Sequence, residues 1–389
     1  MPFVLNVGTS TSFISHEVTM KVLMIDGGGF SPPYDFCLAS GLESIGIRVD
    51  LLMPQEVVRD WRNPDAIPNS SSSRARSMMY RLAKGSRYLA TLLDAERMIR
   101  RGAIDVVHMQ WLAFSPADRA FLKSIRGRVR TVYTMHNTST FHEPASGIQG
   151  LGKREAYKLF DKVIVHSEYS LTSATASGVA RKDQLACVPH GAFDYYRELS
   201  TVARDESAKM ELLFVGSIKH YKGLDVLVES LAYLCEMVPR GTWHLTVAGK
   251  PSISTENLRR RITELGLDDS VTWRLRHQSE RELANLFSSS HLVILPYREI
   301  DQSGVLLAAI GMGRAVLATR VGAFPEILDQ IDPDLLIPPE DPTALAKALA
   351  RLIKQPSLIN HQELLMQRLA DGELGWKSVA EKTLKVYEG

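Results

Sequence analysis

The sequence predicts an α/β protein made of two doubly wound parallel-sheet domains, and three observations carry that prediction. Short apolar runs alternate with amphipathic helical stretches along most of the chain, the pattern of repeated β-α-β units. That pattern lapses over residues 194–210, which are polar and charged, and then restarts. At 389 residues the chain also exceeds what one hydrophobic core usually serves, so two domains of roughly 150 to 200 residues follow.

Taken in order, the first clear strand is KVLMID, residues 21–26. The Ser- and Thr-rich residues 1–20 before it read as an N-terminal extension, with a short additional strand around 3–7 as an equal alternative. Gly27, Gly28 and Gly29 follow, then a helical pattern through Phe36, Leu38, Leu42 and Ile45, then a strand at 47–53. A glycine turn after a first strand lets a ligand approach the backbone, although GGGF lacks the GxGxxG spacing and fits a plain tight turn as well. Residues 56–73, with Pro64, Pro68 and a run of serines, read as a loop. A long helix is then expected over 74–101. Its eight basic residues against Asp94 and Glu96 give 8 − 2 = +6, which suits either a solvated domain face or a surface for anionic lipid.

Strands recur at DVVHM (105–109), TVYTM (131–135) and KVIV (162–165). Ligands of doubly wound sheets collect beyond the carboxyl ends of the strands. The polar residues there are His108 and Trp111, then His136 and Asn137, then His166. Three histidines at three strand ends form a candidate cluster, although single histidines at such places are more often structural.

The second half restarts with ELLFV (211–215), Gly216, Ser217 and a loop bearing Lys219 and Lys222. It continues through strands at 243–248 (then Gly249), 270–275, 292–295 and 315–319. Ser303-Gly304 opens a helix after the 292–295 strand. Its first backbone N–H groups lack internal partners and the helix dipole adds partial positive charge, so a phosphate suits the turn Gln302-Ser303-Gly304. With the two lysines, such a site can hold a diphosphate without a metal and stabilise a leaving group that gains charge. Asp332-Pro333-Asp334 has the letters of a metal-binding DxD but the setting of a loop cap. The amphipathic segment 375–389 is expected to pack back on the first domain.

Composition excludes several classes. Hydrophobic residues at 45% and charged residues at 23% describe a globular protein, and a formal charge of +2 gives no indication of nucleic-acid binding. Cys37, Cys187 and Cys235 are too few and too scattered for a disulfide framework or a zinc site, and point to a cytoplasmic address. No apolar run approaches the roughly 18 to 20 residues that cross a bilayer, and no signal segment is expected at the start. Membrane contact, if any, is expected to be peripheral, at the inner face of the cell membrane through residues 74–101.

FVGSIKHYKGLDVLVESL, PYREIDQSGVLLAAIGMGRAVLATRVGAFPEI, HN at 136, VHSEYS at 166 and VPHGA at 188 together resemble the family 4 retaining glycosyltransferases of the GT-B fold, in a bacterial variant with a QSG loop. The resemblance implies two facing Rossmann-like domains with an interdomain cleft. Residues 21–200 would bind the acceptor and 201–374 the nucleotide sugar. It implies a metal-independent, cofactor-free hexosyltransferase that moves a sugar from a UDP- or GDP-linked donor to a glycan or polyprenyl-linked acceptor, as in exopolysaccharide or cell-envelope assembly. Carried over by motif, the catalytic candidates are His136 and Lys222, to which Asp301 is added as a neighbouring carboxylate within reach of the donor sugar. The donor-binding ones are Gly216, Ser217, Lys219, Lys222, Gly249, Arg274, His277, Gln302, Ser303, Gly304 and Val305. Gly28, Gly29, His108, Trp111 and Asn137 are assigned to the acceptor side.

Three departures stand out. Ser217 replaces the arginine that often follows the glycine of the FVGR motif. Ile300 and Ala308 occupy the two positions, eight apart, where the family carries glutamates. A catalytically inactive sugar-nucleotide-binding or scaffold protein of the same fold is the alternative that these departures raise. An epimerase or phosphorylase is a weaker one.

Overall fold

The structure, a computed structural model, describes residues 3–6, 20–66, 78–102, 104–138, 152–205 and 209–389. They divide into two units: apart from residues 64–66, which group with the second, the chain passes from the first to the second between Gly191 and Ala192 and returns between Glu373 and Leu374. The crossover thus falls some residues before 200, and the last helix, Trp376–Glu388, belongs to the first unit.

In the first unit the strands are β1 (Phe3–Asn6), β2 (Lys21–Ile25), β3 (Arg48–Met53), β4 (Val106–Met109), β5 (Arg130–Thr134), β6 (Lys162–Val165) and β7 (Leu185–Cys187), in the sheet order β1-β3-β2-β4-β5-β6-β7. All pairs are parallel except β1 with β3, where Phe3 pairs with Met53 and Asn6 with Asp50. Part of the expected N-terminal extension is therefore sheet. The parallel strands read as unbroken apolar runs because helices cover both faces. Val22, Leu23, Met24 and Ile25 are all fully buried.

Two expectations change. The region read as a loop at 56–73 begins with a helix, Gln55–Trp61, whose residues Val57, Val58 and Trp61 give it an apolar stripe too short to mark it in the sequence. Residues 67–73 lie outside the described residues, as do Arg74, Arg76 and the side chain of Arg81. The basic helix runs Met78–Arg100. Arg87 pairs with Glu56, Arg97 with Asp94 and Arg100 with Glu96, so much of its charge is already matched.

The second unit has β8 (Met210–Val215), β9 (Trp243–Ala248), β10 (Val271–Arg274), β11 (Leu292–Leu295), β12 (Ala315–Thr319) and β13 (Leu336–Ile337), all parallel, in the order β10-β9-β8-β11-β12-β13. From β8 the chain winds one way through β9 and β10, then returns beside β8 and winds the other way. Loops after β8 and β11 therefore diverge to opposite faces and leave a crevice between them, where ligands of open α/β sheets bind. Trp243, Leu245, Leu292 and Leu227 lie in the core beneath this edge, fully buried. Asp332 accepts from the Asp334 N–H at 2.9 Å, a turn cap as expected. The polar stretch 194–210 is not a bare linker: Tyr196–Leu199 is helical, and Arg204 forms a nearly buried pair with Glu363.

Candidate functional site

In the second unit a cavity of about 340 Å³ opens where β8 and β11 diverge. The loop after β8 contributes Gly216, Ser217, Lys219 and Lys222, and the loop after β11 contributes Gln302, Ser303, Gly304 and Val305. Eight of the donor-site residues selected from sequence thus share one cavity.

Lys222 is 7% exposed, its Nζ stands 5.1 Å from the centre of the Tyr297 ring, and it has no hydrogen-bond or carboxylate partner among the described residues. Burial pushes its ammonium below the ordinary lysine range, with Tyr221 opposing. An unpaired buried cation is costly and persists where an anion is to be bound. Gly216 makes room for it: a Cβ there would stand 2.7 Å from the Lys222 Nζ, and the backbone has φ +105°.

Lys222 ends a tight 3₁₀ turn, His220–Lys222, that closes on Gly223 at φ 66°. A side chain at Gly223 would meet the Pro296 carbonyl oxygen at 1.9 Å, so the two loops touch backbone to backbone. Arg298 clamps them. From the loop after β11 it donates to both oxygens of Asp225, at 2.9 and 2.7 Å, and to the His220 carbonyl at 2.8 Å, while its own N–H donates to the Tyr221 carbonyl at 2.7 Å. The planar guanidinium suits such a fork.

Ser303 caps the helix Gly304–Gly311, its Oγ accepting from the Leu306 N–H at 3.3 Å. This leaves the N–H groups of Gly304 and Val305 without intrahelical acceptors, at the positive end of the helix and on the cavity wall. Lys219, by contrast, is exposed, 6.0 Å from the Tyr221 ring.

Four selected residues do not line the cavity. Asp301 is 3% exposed and turned into the protein, so it is no cavity carboxylate. Gly249 shapes the floor: a Cβ there would lie 1.9 Å from the Gly216 carbonyl oxygen, and its N–H donates to the Arg274 carbonyl at 3.0 Å. Arg274 has an exposed side chain, and His277, half-buried, has an Nδ1 without a hydrogen-bond partner among the described residues. The sequence reading missed the cavity's apolar and aromatic walls: Phe193, just before the polar stretch 194–210, and Tyr196 within it, Leu283 and Phe287, and Tyr221 and Tyr297 from the loops. Ile300 and Ala308 also line it, at 8% and 3% exposure.

The first unit has its own cluster at the carboxyl ends of β2 and β4 to β7. The Tyr34 ring sits 4.8 Å from the rings of His136 and His190 and 5.4 Å from Trp376 of the last helix. His136 Nε2 lies 3.2 Å from Gln110 Oε1 and Trp111 stacks on the imidazole at 5.0 Å. A carboxamide oxygen only accepts, so Nε2 carries the proton and Nδ1 offers a lone pair. Burial, helped by the imidazoles of His166, His190 and His108, holds His136 well below the usual histidine range.

His108 is not available to a ligand. It is fully buried between the Tyr387 hydroxyl and Thr134, each at 2.7 Å, and burial lowers its pKa to about 3, so it ties the last helix to the sheet. The glycine turn is fixed from below: Asp26 accepts from the N–H groups of Phe30 at 2.6 Å and Ser31 at 3.0 Å. Gly29 takes φ +61°, and a Cβ on Gly28 would strike the Phe30 ring. Both glycines therefore serve the turn itself. Trp111 donates from Nε1 to Ser31 Oγ at 2.9 Å, and Asn137 is half-buried.

Comparison with known proteins agrees with this division. Residues 36–192 match the family described as Glycosyltransferase Family 4, and residues 209–355 match Glycosyl transferases group 1. Among curated relatives, the D-inositol 3-phosphate glycosyltransferase of Saccharomonospora viridis is 26% identical over 292 residues, 70% of this chain and 67% of that one. The protein of the same name from Streptomyces bingchenggensis is 25% identical over 319 residues, covering 74% and 67%. Among solved structures, a glycosyltransferase from Rickettsia africae superposes with a TM-score of 0.65 at 16% identity, over 95% of this chain and 98% of that one. Anabaena HepE in complex with UDP and glucose gives 0.63 at 17% identity, over 95% and 99%. These likenesses establish the GT-B fold.

Proposed function

The chain belongs to the family 4 glycosyltransferases, and from that premise we propose that it transfers a hexose, with retention of anomeric configuration and without a metal, from a nucleoside-diphosphate sugar to a glycan or lipid-linked acceptor. The observation that carries the donor side is Lys222, a buried cation with no counter-ion among the described residues, beside the N–H groups that open the helix Gly304–Gly311 without intrahelical acceptors. The diphosphate is held there, and the first unit, where the neutral His136 offers Nδ1, holds the acceptor. Among the described residues no carboxylate lines the cavity to serve as a nucleophile. In a same-face substitution, the departing phosphate oxygen takes the acceptor's proton while Lys222 and the helix amides stabilise the charge that develops on it. HepE, solved with UDP and glucose, supports a nucleotide donor; UDP- and GDP-sugars are the first to assay.

An acceptor anchored in exopolysaccharide or cell-envelope assembly fits the face beside the basic helix. Phe30, Leu89 and Leu93 are each about half exposed there and Lys84 lies over the Phe30 ring. Among the described residues no helix is long and apolar enough to cross a membrane, so such contact is peripheral. Flotation with anionic vesicles tests it, and protein that stays with the soluble fraction removes the membrane from the reading.

The decisive experiment incubates the purified chain with a panel of nucleotide sugars and follows slow donor hydrolysis. Turnover of one of them is expected. A catalytically inactive binder is the second reading, favoured by the alkyl groups of Ile300 and Ala308 in the cavity. It predicts nucleotide-sugar binding by calorimetry without hydrolysis or transfer to any acceptor.

A further inference from the structure

The second unit has another cavity, of about 260 Å³, on its outer edge between the edge strand β10 and the helix Glu256–Glu264. β10 lies two strand spacings from β8, roughly 10 Å, and among the described residues the two cavities share no lining residue. Alternation along β10 sends Val271 and Trp273 to one face, and both line the cavity. The helix contributes Glu256, Arg259, Arg260 and Thr263, whose i, i+3, i+4, i+7 spacing puts them on one side of it. Its Ile262 is buried in the core.

Trp273 packs against that core yet stays only half-buried, and among the described residues its indole has neither a hydrogen-bond acceptor nor an aromatic neighbour. Glu256 and Arg259 are oppositely charged and three residues apart, a spacing at which ion pairs form on helices. Here neither side chain has a partner among the described residues. Asp268 accepts from the Thr263 hydroxyl through Oδ1 at 2.8 Å, and its other oxygen is not engaged there. Two guanidinium groups against two carboxylates leave the lining without net charge. Unlike the cavity of Lys222, it therefore offers no field that favours a phosphate or a cation.

A sugar ring matches this lining. Each of its hydroxyls both donates and accepts, so neighbouring hydroxyls can engage a carboxylate and a guanidinium side by side. Its C–H groups carry partial positive charge and meet the negative face of an indole. Pockets for drug-sized ligands begin at roughly 300 Å³, so this one suits a single ring. We propose that it is a saccharide subsite, in which one neutral sugar ring of a glycan stacks on Trp273 and hydrogen-bonds to Glu256, Arg259 and Asp268. Its use, holding a glycan on the protein between transfers, rests on the transfer reading above; the binding itself does not.

The full chain with 5-fluorotryptophan at its five tryptophans gives a fluorine resonance for each, and Trp273→Phe assigns the one at this pocket. Titration with the methyl glycosides of glucose, galactose and mannose and with N-acetylglucosamine should move that resonance for at least one of them. The expected Kd is about 1 to 10 mM, in keeping with a ligand of about a dozen heavy atoms. Arg259→Ala, at an exposed position, should weaken the binding at least about fivefold with an unchanged melting curve and unchanged donor hydrolysis. No movement with any of the four sugars, or movement that Arg259→Ala leaves unaltered, overturns the subsite and leaves the nucleotide-sugar reading standing. A Trp273 shift produced equally by inorganic phosphate or adenosine also overturns it, making the pocket an anion or nucleobase site. A fall in donor hydrolysis in Arg259→Ala overturns its separation from the donor cavity. A normal sugar titration in a chain that turns over no nucleotide sugar upholds the subsite and removes the transfer reading alone.

Discussion

Lys222→Met separates the charge of this residue from its bulk, and its two expected effects differ in kind. In the free protein, the variant loses a cation held over the Tyr297 ring at 5.1 Å, roughly 0.5 to 2 kcal/mol. It also relieves the cost of keeping an unpaired ammonium buried, the cause that pushes the lysine pKa down. The methionine stem keeps the packing. The two terms oppose each other, so the melting temperature of the free protein should move by no more than a few degrees, at about 2 to 4 °C per kcal/mol for a domain of this size. With ligand the balance tips one way. A hydrogen bond to a charged group contributes about 1.5 to 3 kcal/mol, so nucleoside-diphosphate affinity should fall by about ten- to a hundredfold. Donor turnover should fall by about ten- to a thousandfold, because the charge lost is the one opposite the leaving group. Thermal melts with and without nucleotide read the first pair of quantities and donor hydrolysis the second. A folded variant with wild-type turnover and undiminished nucleotide stabilisation would mean that the diphosphate binds elsewhere; a free protein that melts ten degrees lower would make Lys222 a structural residue.

Three further outcomes follow from the same geometry. As pH rises through the depressed Lys222 pKa, nucleotide affinity should weaken because the bound form needs the ammonium. The free protein should gain stability over the same window, since the unfolded chain there holds the proton that the folded one has released; parallel melting and titration curves check the opposed signs. Gly216→Ala, with φ +105° and a Cβ 2.7 Å from the Lys222 Nζ, should displace the lysine and lower kcat/KM of donor hydrolysis at least about tenfold. The Arg298 side chain reaches Asp225 and the His220 carbonyl, neither of which lines the cavity, yet Arg298→Ala removes the clamp on the turn His220–Lys222. Nucleotide binding should weaken and hydrogen exchange over 219–223 should accelerate. Unchanged exchange would show that the turn holds without the clamp.

Much of the framework was legible because it obeys local rules. Apolar runs such as KVIV and LVIL became strands within a residue of where they were read, and Ser303 became the cap that its place before an apolar helix announces. What escaped depends on partners distant in sequence. Leu336–Ile337 is a strand only because β12 is there to pair with it. Tyr196 lies in a polar stretch with Phe193 just before it, and nothing local says that they wall a cavity with Phe287, about ninety residues on. Arg298 reads as a loop charge until Asp225 is placed opposite it. His108 reads like His136 at a strand end, but its Cα partner on β5 and the last helix seal it in.

The sequence also treats Lys219 and Lys222 alike, and the structure divides them. Both line the cavity, but Lys219 is exposed while Lys222 is almost wholly enclosed by protein. Interaction between unit charges weakens as water fills the space between them, so an exposed lysine facing a phosphate contributes about as much as a surface ion pair, roughly 0 to 1 kcal/mol, and salt screens it. Lys219→Ala should therefore cost less than about fivefold in donor affinity at low ionic strength and almost nothing at 0.5 M salt. The Lys222→Met deficit should persist at both. Affinity measured for the two variants at two salt concentrations makes the comparison. If the Lys219 deficit is as large as that of Lys222 and as indifferent to salt, the exposed lysine closes over the diphosphate on binding, and the leaving-group charge is shared between them.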